Sequence, residues 1–167
     1  MKRLLLLRHA KSSWDDPSLP DRDRPLAPRG HEAAERMAAH LRSNAPAVDL
    51  VLCSPALRTT ETLEHLGRAF GDAKMEVEDD LYGAGEEELQ DRLREVPEDV
   101  DAVALIGHNP GIQDLATRLA GSGKDLDRMR TKYPTGALAI LEFDGPWEGL
   151  AEGGGRLVAF VTPRDLA

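Results

Sequence analysis

Two histidines stand at the ends of two short apolar runs in the sequence. Residues 4–7 are four leucines that Arg8 and His9 follow directly, and His108 follows a second apolar run at residues 102–107. In an open α/β sheet, ligands and chemistry collect in the loops at the carboxyl ends of strands. Histidine is a nucleophile or an acid–base group near neutral pH, and arginine binds phosphate through a two-pronged fork. The pattern therefore indicates phosphate chemistry at one edge of a sheet.

Two dipeptides next to these runs predict helix starts. Ser54-Pro55 and Asn109-Pro110 each offer an N-cap side chain followed by proline at the first helical position. Free N–H groups at two such helix starts would favour an anion at the same edge of the sheet. Arg58 would lie one turn into the first helix, where its guanidinium can point toward that anion. Asn109 therefore joins Arg58 among the candidate phosphate-binding residues.

The remaining chain supplies the elements that must position these residues. Helical periodicity predicts helices over residues 30–43, 55–70 and 110–120. Short apolar runs between them predict strands. The predicted strands cover residues 4–7, 48–53, 102–107, 137–143 and 156–161. Alternation of strands and helices favours a three-layer α/β/α sandwich with a mostly parallel sheet.

Two loops stand out from this alternation. Residues 12–28 contain four prolines, which exclude a regular helix, and a loop this long directly after His9 could overhang the site. Residues 144–155 are rich in glycine and predict a flexible hairpin connection between the last two strands. The 167 residues fit one domain spanning 1–167, with no inserted cap.

Charge and hydropathy exclude several classes of function. The net charge is −9, and residues 76–101 hold twelve acidic side chains against Arg92 and Arg94. An acidic protein is poorly suited to bind nucleic acid, since that affinity rests on neutralising phosphates. The apolar run that ends at Arg8 is too short for a signal peptide, and nothing approaches the roughly 20 residues of a membrane span. We therefore expect a cytoplasmic protein without nucleic-acid or membrane partners.

At this point the sequence resembles the histidine phosphatase superfamily, with its phosphoglycerate-mutase-like fold, and most closely the small SixA-type branch of phosphohistidine phosphatases. The matching pieces lie within residues 8–111 and are Arg8-His9-Ala10, Arg24-Pro25-Leu26, Arg29-Gly30, Ser54-Pro55 with Arg58 and Thr62, and Gly107-His108. Ala10 departs from the glycine that usually follows the Arg-His pair, which leaves the chemistry intact.

The resemblance implies a role for each matched residue. His9 would be a neutral nucleophile that forms a phosphohistidine intermediate, which water then hydrolyses. Arg8, Arg58 and a charged His108 would hold the phosphoryl oxygens, where transition-state charge accumulates. Such a cationic cluster can replace a metal, so we expect neither a metal nor a cofactor.

The proton donor is the least defined part of the predicted site. Asp21 falls where the SixA-type branch has an aspartate and is the first candidate, ahead of Asp80 and Glu86. Asp21 could equally be a structural partner of Arg24. The expected substrate is a protein phosphohistidine or a small phosphorylated metabolite.

Several other readings of the same residues stay open. Cys53 and Arg58 invite a cysteine-dependent phosphatase, although only four residues separate them instead of five. Asp21 and Asp23 invite a metal-dependent aspartyl phosphatase, although no apolar run precedes them. A non-catalytic module that binds phosphate without turnover is the third alternative. His31, His40 and His65 are interpreted as structural or surface residues, and Glu61 and His65 as a surface pair.

Overall fold

A computed structural model describes residues 1–44 and 47–167. Its centre is a seven-stranded sheet with the strand order β3-β2-β4-β1-β6-β7-β5. The strands are β1 (Lys2–Arg8), β2 (Leu50–Cys53), β3 (Lys74–Val77), β4 (Ala102–Gly107), β5 (Ala120–Ser122), β6 (Leu138–Phe143) and β7 (Gly155–Val161). Of the described strands, β6 alone runs antiparallel to its neighbours β1 and β7. The prediction of a mostly parallel sheet is therefore confirmed.

Helices cover both faces of this sheet. They are α1 (Pro28–Asn44), α2 (Leu57–Leu66), α3 (Glu86–Arg94), α4 (Gly111–Leu119) and α5 (Leu126–Thr131). Leu5 and Leu7 of β1 pack with residues of α1 and α2, while Leu4 and Leu6 pack with residues of α3, α4 and α5. Successive side chains of a strand point to opposite faces, so a continuous leucine run is what a strand covered on both sides requires. The three-layer α/β/α arrangement is confirmed.

Both helices begin later in the chain than predicted. α2 begins at Leu57 after the N-cap residue Ala56, and α4 begins at Gly111 after Pro110. Asn109 still contributes to the start of α4, because its Oδ1 accepts a hydrogen bond from the backbone N–H of Gln113 at 3.2 Å. Each proline therefore lies before its helix and not at the first helical position.

The two predicted loops are ordered by contacts at both ends. In the first, a one-turn helix spans Asp21–Asp23, and an isolated bridge joins Ser12 to Leu26. Residues 144–155 do connect the antiparallel strands β6 and β7, as predicted. This second loop carries Trp147, which is fully buried, so it is anchored to the core.

Candidate active site

The sheet brings the two histidines together at the carboxyl ends of adjacent parallel strands. The β1–β4 register pairs Arg8 with Gly107, so the next residue along each strand is a histidine. The backbone N–H of His9 donates to the Gly107 carbonyl at 3.0 Å, and the ring centroids of His9 and His108 are 5.3 Å apart. The predicted juxtaposition at one sheet edge is therefore a direct result of strand register.

His9 is buried, and one ring nitrogen is hydrogen-bonded to the backbone of the next residue. Nδ1 lies 2.7 Å from the carbonyl oxygen of Ala10, so a neutral ring donates from Nδ1 and carries its lone pair on Nε2. Burial is the main cause that lowers the pKa of His9 to about 3, and His108, Arg58 and Arg8 lower it further by repulsion. His9 is therefore neutral at physiological pH, as a nucleophile must be.

Two arginines flank this ring. Arg8 donates from Nη1 to the Tyr133 carbonyl at 2.9 Å, and Arg58 donates from Nη1 and Nη2 to Asp21 at 2.8 and 2.9 Å. The Nε atoms of Arg8 and Arg58 are buried and have no hydrogen-bond partner in the part of the chain that the structure describes. A buried donor without a partner is costly, so these two N–H groups are suited to receive an anion.

Thr62 connects the helix that carries Arg58 to the loop that carries His9 through two hydrogen bonds. Its hydroxyl donates to the Arg58 carbonyl at 2.7 Å and accepts from the backbone N–H of Ala10 at 3.1 Å. Thr62 is buried, so both contacts are shielded from water. This single side chain fixes the relative position of α2 and the strand end after β1.

His108 is held by Ser54, which follows the neighbouring strand β2. The Ser54 hydroxyl lies 2.7 Å from Nε2 of His108, while Nδ1 is buried without a partner among residues 1–44 and 47–167. Burial, followed by repulsion from Arg58, lowers the pKa of His108 to about 4. This low pKa favours a neutral ring in the present arrangement, and the charged state of His108 beside a phosphoryl group stays a prediction.

Asp21 lies at the site as the sequence predicts and has three partners. It accepts hydrogen bonds from Arg58, from Arg24 at 3.2 Å and from the hydroxyl of Tyr82. The Tyr82 hydrogen bond is the largest cause that lowers the pKa of Asp21 to about 2, with Arg58 adding to it. Asp21 is ionised at neutral pH, so its predicted role as proton donor is disfavoured in this arrangement.

Tyr82 is the site residue that sequence reasoning missed. Its hydroxyl binds Asp21, and its ring packs edge-on against His108 with centroids 5.6 Å apart. It follows β3, which runs parallel to β1, β2 and β4 and has its carboxyl end at the same edge. Because β3 itself was not predicted, the strand-end signal that identified His9 and His108 was not available for Tyr82. The structure brings neither Asp80 nor Glu86 into these contacts, although exposed Asp80 lines the same cavity as Tyr82.

Comparison with known proteins agrees with this geometry. Residues 4–104 match the family model of the histidine phosphatase superfamily, branch 1. The chain belongs to this superfamily. A protein of Mycobacterium tuberculosis with uncharacterised function is 40% identical over 162 residues, which is 95% of this chain and the whole of that protein. The predicted class of enzyme, a phosphatase of the histidine phosphatase type, is confirmed.

Solved structures of the superfamily share the whole fold. A protein of Nakamurella multipartitia, provisionally named the phosphohistidine phosphatase SixA, has a TM-score of 0.86 and 34% identity, covering 97% of this chain and 96% of that chain. The protein histidine phosphatase SixA in complex with tungstate has a TM-score of 0.77 and 26% identity, covering 99% of both chains. The resemblance to the SixA-type branch is thereby confirmed.

The sequence suggests a role in the site for two further residues, and the structure of this histidine phosphatase supports neither role. The Asn109 amide donates to the Tyr133 carbonyl at 3.2 Å and to Gln113 at 3.3 Å, so its side chain is occupied at the start of α4 and loses support as a phosphate ligand. Burial raises the pKa of the Cys53 thiol to about 12, which keeps it protonated and argues against a cysteine nucleophile.

One further prediction is corrected. Glu61 and His65 do not form a surface pair: Glu61 accepts the backbone N–H of Leu26 at 2.8 Å, while His65 lies 2.8 Å from His31 and 2.5 Å from Glu35. Gly111 allows close packing at the start of α4, since a Cβ there would lie 2.4 Å from the Ala84 carbonyl oxygen. Within residues 1–44 and 47–167, no helix is long and apolar enough to cross a membrane.

Proposed function

We propose that this chain is a phosphohistidine phosphatase that works through a covalent phosphoryl group on Nε2 of His9. The observation that carries the proposal is the hydrogen bond from Nδ1 of His9 to the Ala10 carbonyl within a buried ring. It leaves the Nε2 lone pair free at neutral pH, and the charges of Arg8 and Arg58, whose buried Nε–H groups have no partner among the described residues, act on the same ring. The nucleophile and the candidate anion-binding donors therefore lie near one another.

In the first step, the Nε2 lone pair attacks phosphorus in line with the bond to the leaving group. That bond breaks, and its electron pair leaves with the substrate fragment, which takes up a proton from solvent water. Arg8 and Arg58 bind the equatorial oxygens, where charge accumulates in the transition state. The phosphoryl charge also favours a proton on His108, because a nearby anion stabilises the imidazolium. These cationic groups provide the stabilisation without requiring a metal.

In the second step, water attacks the phosphoryl group on His9. The bond between phosphorus and Nε2 breaks, its electron pair returns to the ring, and inorganic phosphate leaves. One proton of the attacking water stays on the phosphate and the other leaves to solvent, while ionised Asp21 orients Arg58 through their paired hydrogen bonds. We therefore assign Asp21 a role as positioning residue in place of proton donor.

The state of Asp21 also bears on the substrate. An acid with a pKa of about 2 is a poor proton donor at pH 7, since efficient general acids have pKa values near the working pH. A substrate whose leaving group departs with little protonation suits such a site better than an alkyl phosphate. The imidazole of a protein phosphohistidine is such a leaving group, and both structural relatives named above are described as phosphatases of this substrate class.

A trapping experiment tests the mechanism. A histidine-containing peptide phosphorylated with labelled phosphoramidate is mixed with enzyme and quenched in alkali within milliseconds. We expect an alkali-stable, acid-labile label on His9 that is absent from a His9→Asn variant. Label on another residue, or turnover by His9→Asn, would contradict the mechanism. A phosphoserine peptide of the same sequence tests the substrate class and is expected to react at least about a hundredfold more slowly, roughly 3 kcal/mol in activation free energy.

A further inference from the structure

Two surfaces of opposite charge lie near the segments that carry His9 and His108. On the His9 side, two cavities of about 590 and 510 Å³ share Thr135, Pro163 and Arg164 in their linings. Basic side chains around these cavities form a surface that we call the basic face. It consists of Lys11, Arg29, Arg36, Lys132 and Arg164, all of them exposed. Because the whole chain has a net charge of −9, a cluster of five cations is a local departure from the overall charge.

The basic face adjoins the nucleophile through the backbone. Lys11 is two residues from His9, and its carbonyl oxygen would lie 2.1 Å from a Cβ at Gly30, so the first turn of α1 packs directly on it. Thr135 precedes Gly136, whose N–H donates to the His9 carbonyl at 2.8 Å. The basic face therefore includes residues whose backbone lies next to the segment that carries His9.

The cations of the basic face are free to bind a partner. None of the five forms an ion pair with a carboxylate of residues 1–44 and 47–167. Glu32 and Asp127 also line the two cavities, which leaves a clear positive excess there. Unpaired charges of one sign around a cleft attract an oppositely charged ligand and speed its association by about 10- to 1,000-fold.

A third cavity, of about 800 Å³, borders the site on the His108 side. Its acidic side chains form a surface that we call the acidic face: Glu78, Asp79, Asp80, Glu88, Asp91 and Glu95. Tyr82 lines the same cavity and packs against His108, which joins the acidic face to the site. An acidic ligand is repelled from this side and drawn to the other.

We propose that the basic face docks an acidic segment of the protein that carries the phosphorylated side chain, while the acidic face keeps that segment on the His9 side. This proposal rests on the proposed function for the presence of a phosphoprotein substrate. The chemistry that would be recognised is a run of Asp or Glu next to the phosphorylated residue. A small metabolite would not reach the basic face, so the surface would select protein over metabolite.

The test uses two phosphohistidine peptides of equal length, flanked by four aspartates or by four lysines. At low ionic strength we expect kcat/KM to be about tenfold higher for the Asp-flanked peptide. In 0.5 M NaCl the difference should shrink to less than about twofold, because salt then limits the interaction between exposed charges to a distance of a few ångströms. Equal kcat/KM values at low ionic strength would overturn the docking proposal while leaving the proposed function intact.

Charge-reversal variants locate the effect. R36E/R164E is expected to remove the preference for the Asp-flanked peptide and to leave the turnover of p-nitrophenyl phosphate unchanged. R42E/R68E changes the net charge equally at another cavity, lined by Glu35, Glu64 and His65, and is expected to behave as wild type. Equal loss of preference in both variants would refute the assignment to the basic face.

A binding measurement separates the docking proposal from the proposed function. If neither phosphohistidine peptide is turned over, the proposed substrate is wrong, and docking is read from the anisotropy of a fluorescein-labelled, unphosphorylated Asp-flanked peptide. Its affinity for R36E/R164E should be about tenfold below its affinity for wild type and for R42E/R68E. Equal affinities for all three proteins would overturn the docking proposal independently of catalysis.

Discussion

The burial of His9 predicts that the protein loses stability in mild acid. The pKa of His9 is lowered to about 3 in the folded protein, against about 6.5 in an unfolded chain. Between these pH values the unfolded chain binds one more proton than the folded protein. The contribution of neutral His9 to the free energy of unfolding is therefore fully present above pH 6.5 and decreases as the pH drops. At about 1.36 kcal/mol per pH unit, lowering the pH from 6.5 to 4.5 removes between about 2 and 3 kcal/mol through this residue alone.

Urea unfolding at pH 7.0 and pH 4.5 measures this loss. His9→Asn keeps an amide donor toward the Ala10 carbonyl and lacks a group that titrates in this range. The variant should therefore lose between about 2 and 3 kcal/mol less than wild type on acidification. His40→Asn, which removes a histidine of α1 outside the site, should lose as much as wild type. Equal losses in wild type and His9→Asn would refute the argument that burial holds the nucleophile neutral.

Three further substitutions test other contacts. Tyr82→Phe removes a donor to Asp21, so the pKa of that carboxyl should rise toward its usual value, and the acid limb of the pH–rate profile should move to higher pH; an unmoved limb would contradict the role of Tyr82. Ser54→Ala leaves the Nε2 atom of His108 without its partner and should lower the free energy of unfolding by about 1–2 kcal/mol in urea titrations, with Thr60→Ala as a milder control. Gly30→Ala places a Cβ 2.1 Å from the Lys11 carbonyl oxygen and should lower the melting temperature and kcat together. Gly67→Ala meets only the end of the Met75 side chain at 3.6 Å, and a loss as large as that of Gly30→Ala would argue against the steric explanation.

The central strands and the main site residues could be predicted because each depends on a local pattern. Four leucines followed by Arg8 and His9 mark a strand covered on both faces and its reactive end. β3 and β5 lack such a pattern: β3 is an edge strand with mostly exposed side chains, and β5 is the tripeptide Ala-Gly-Ser. An edge strand packs few side chains, so composition alone does not mark it.

Contacts between segments that are distant in the chain could not be predicted from local sequence patterns. The sequence predicts that the Ser54 hydroxyl caps a helix, because serine before proline is a common pattern at helix starts. Its contact with His108 depends on β2 and β4 being neighbours, which only the sheet order reveals. The same holds for Asp21, since the lowering of its pKa depends mainly on Tyr82, 61 residues away.

The hydrogen bond from His9 to the Ala10 carbonyl has a consequence for how this site can change over time. In many histidine sites the acceptor that fixes the ring is a side chain, and one mutation can delete it. Here the acceptor is a main-chain oxygen, which every amino acid possesses. Replacement at position 10 can therefore alter packing but cannot remove the acceptor, so alanine can stand where glycine is usual. The orientation of the His9 ring therefore depends on the backbone conformation and not on the type of a second residue.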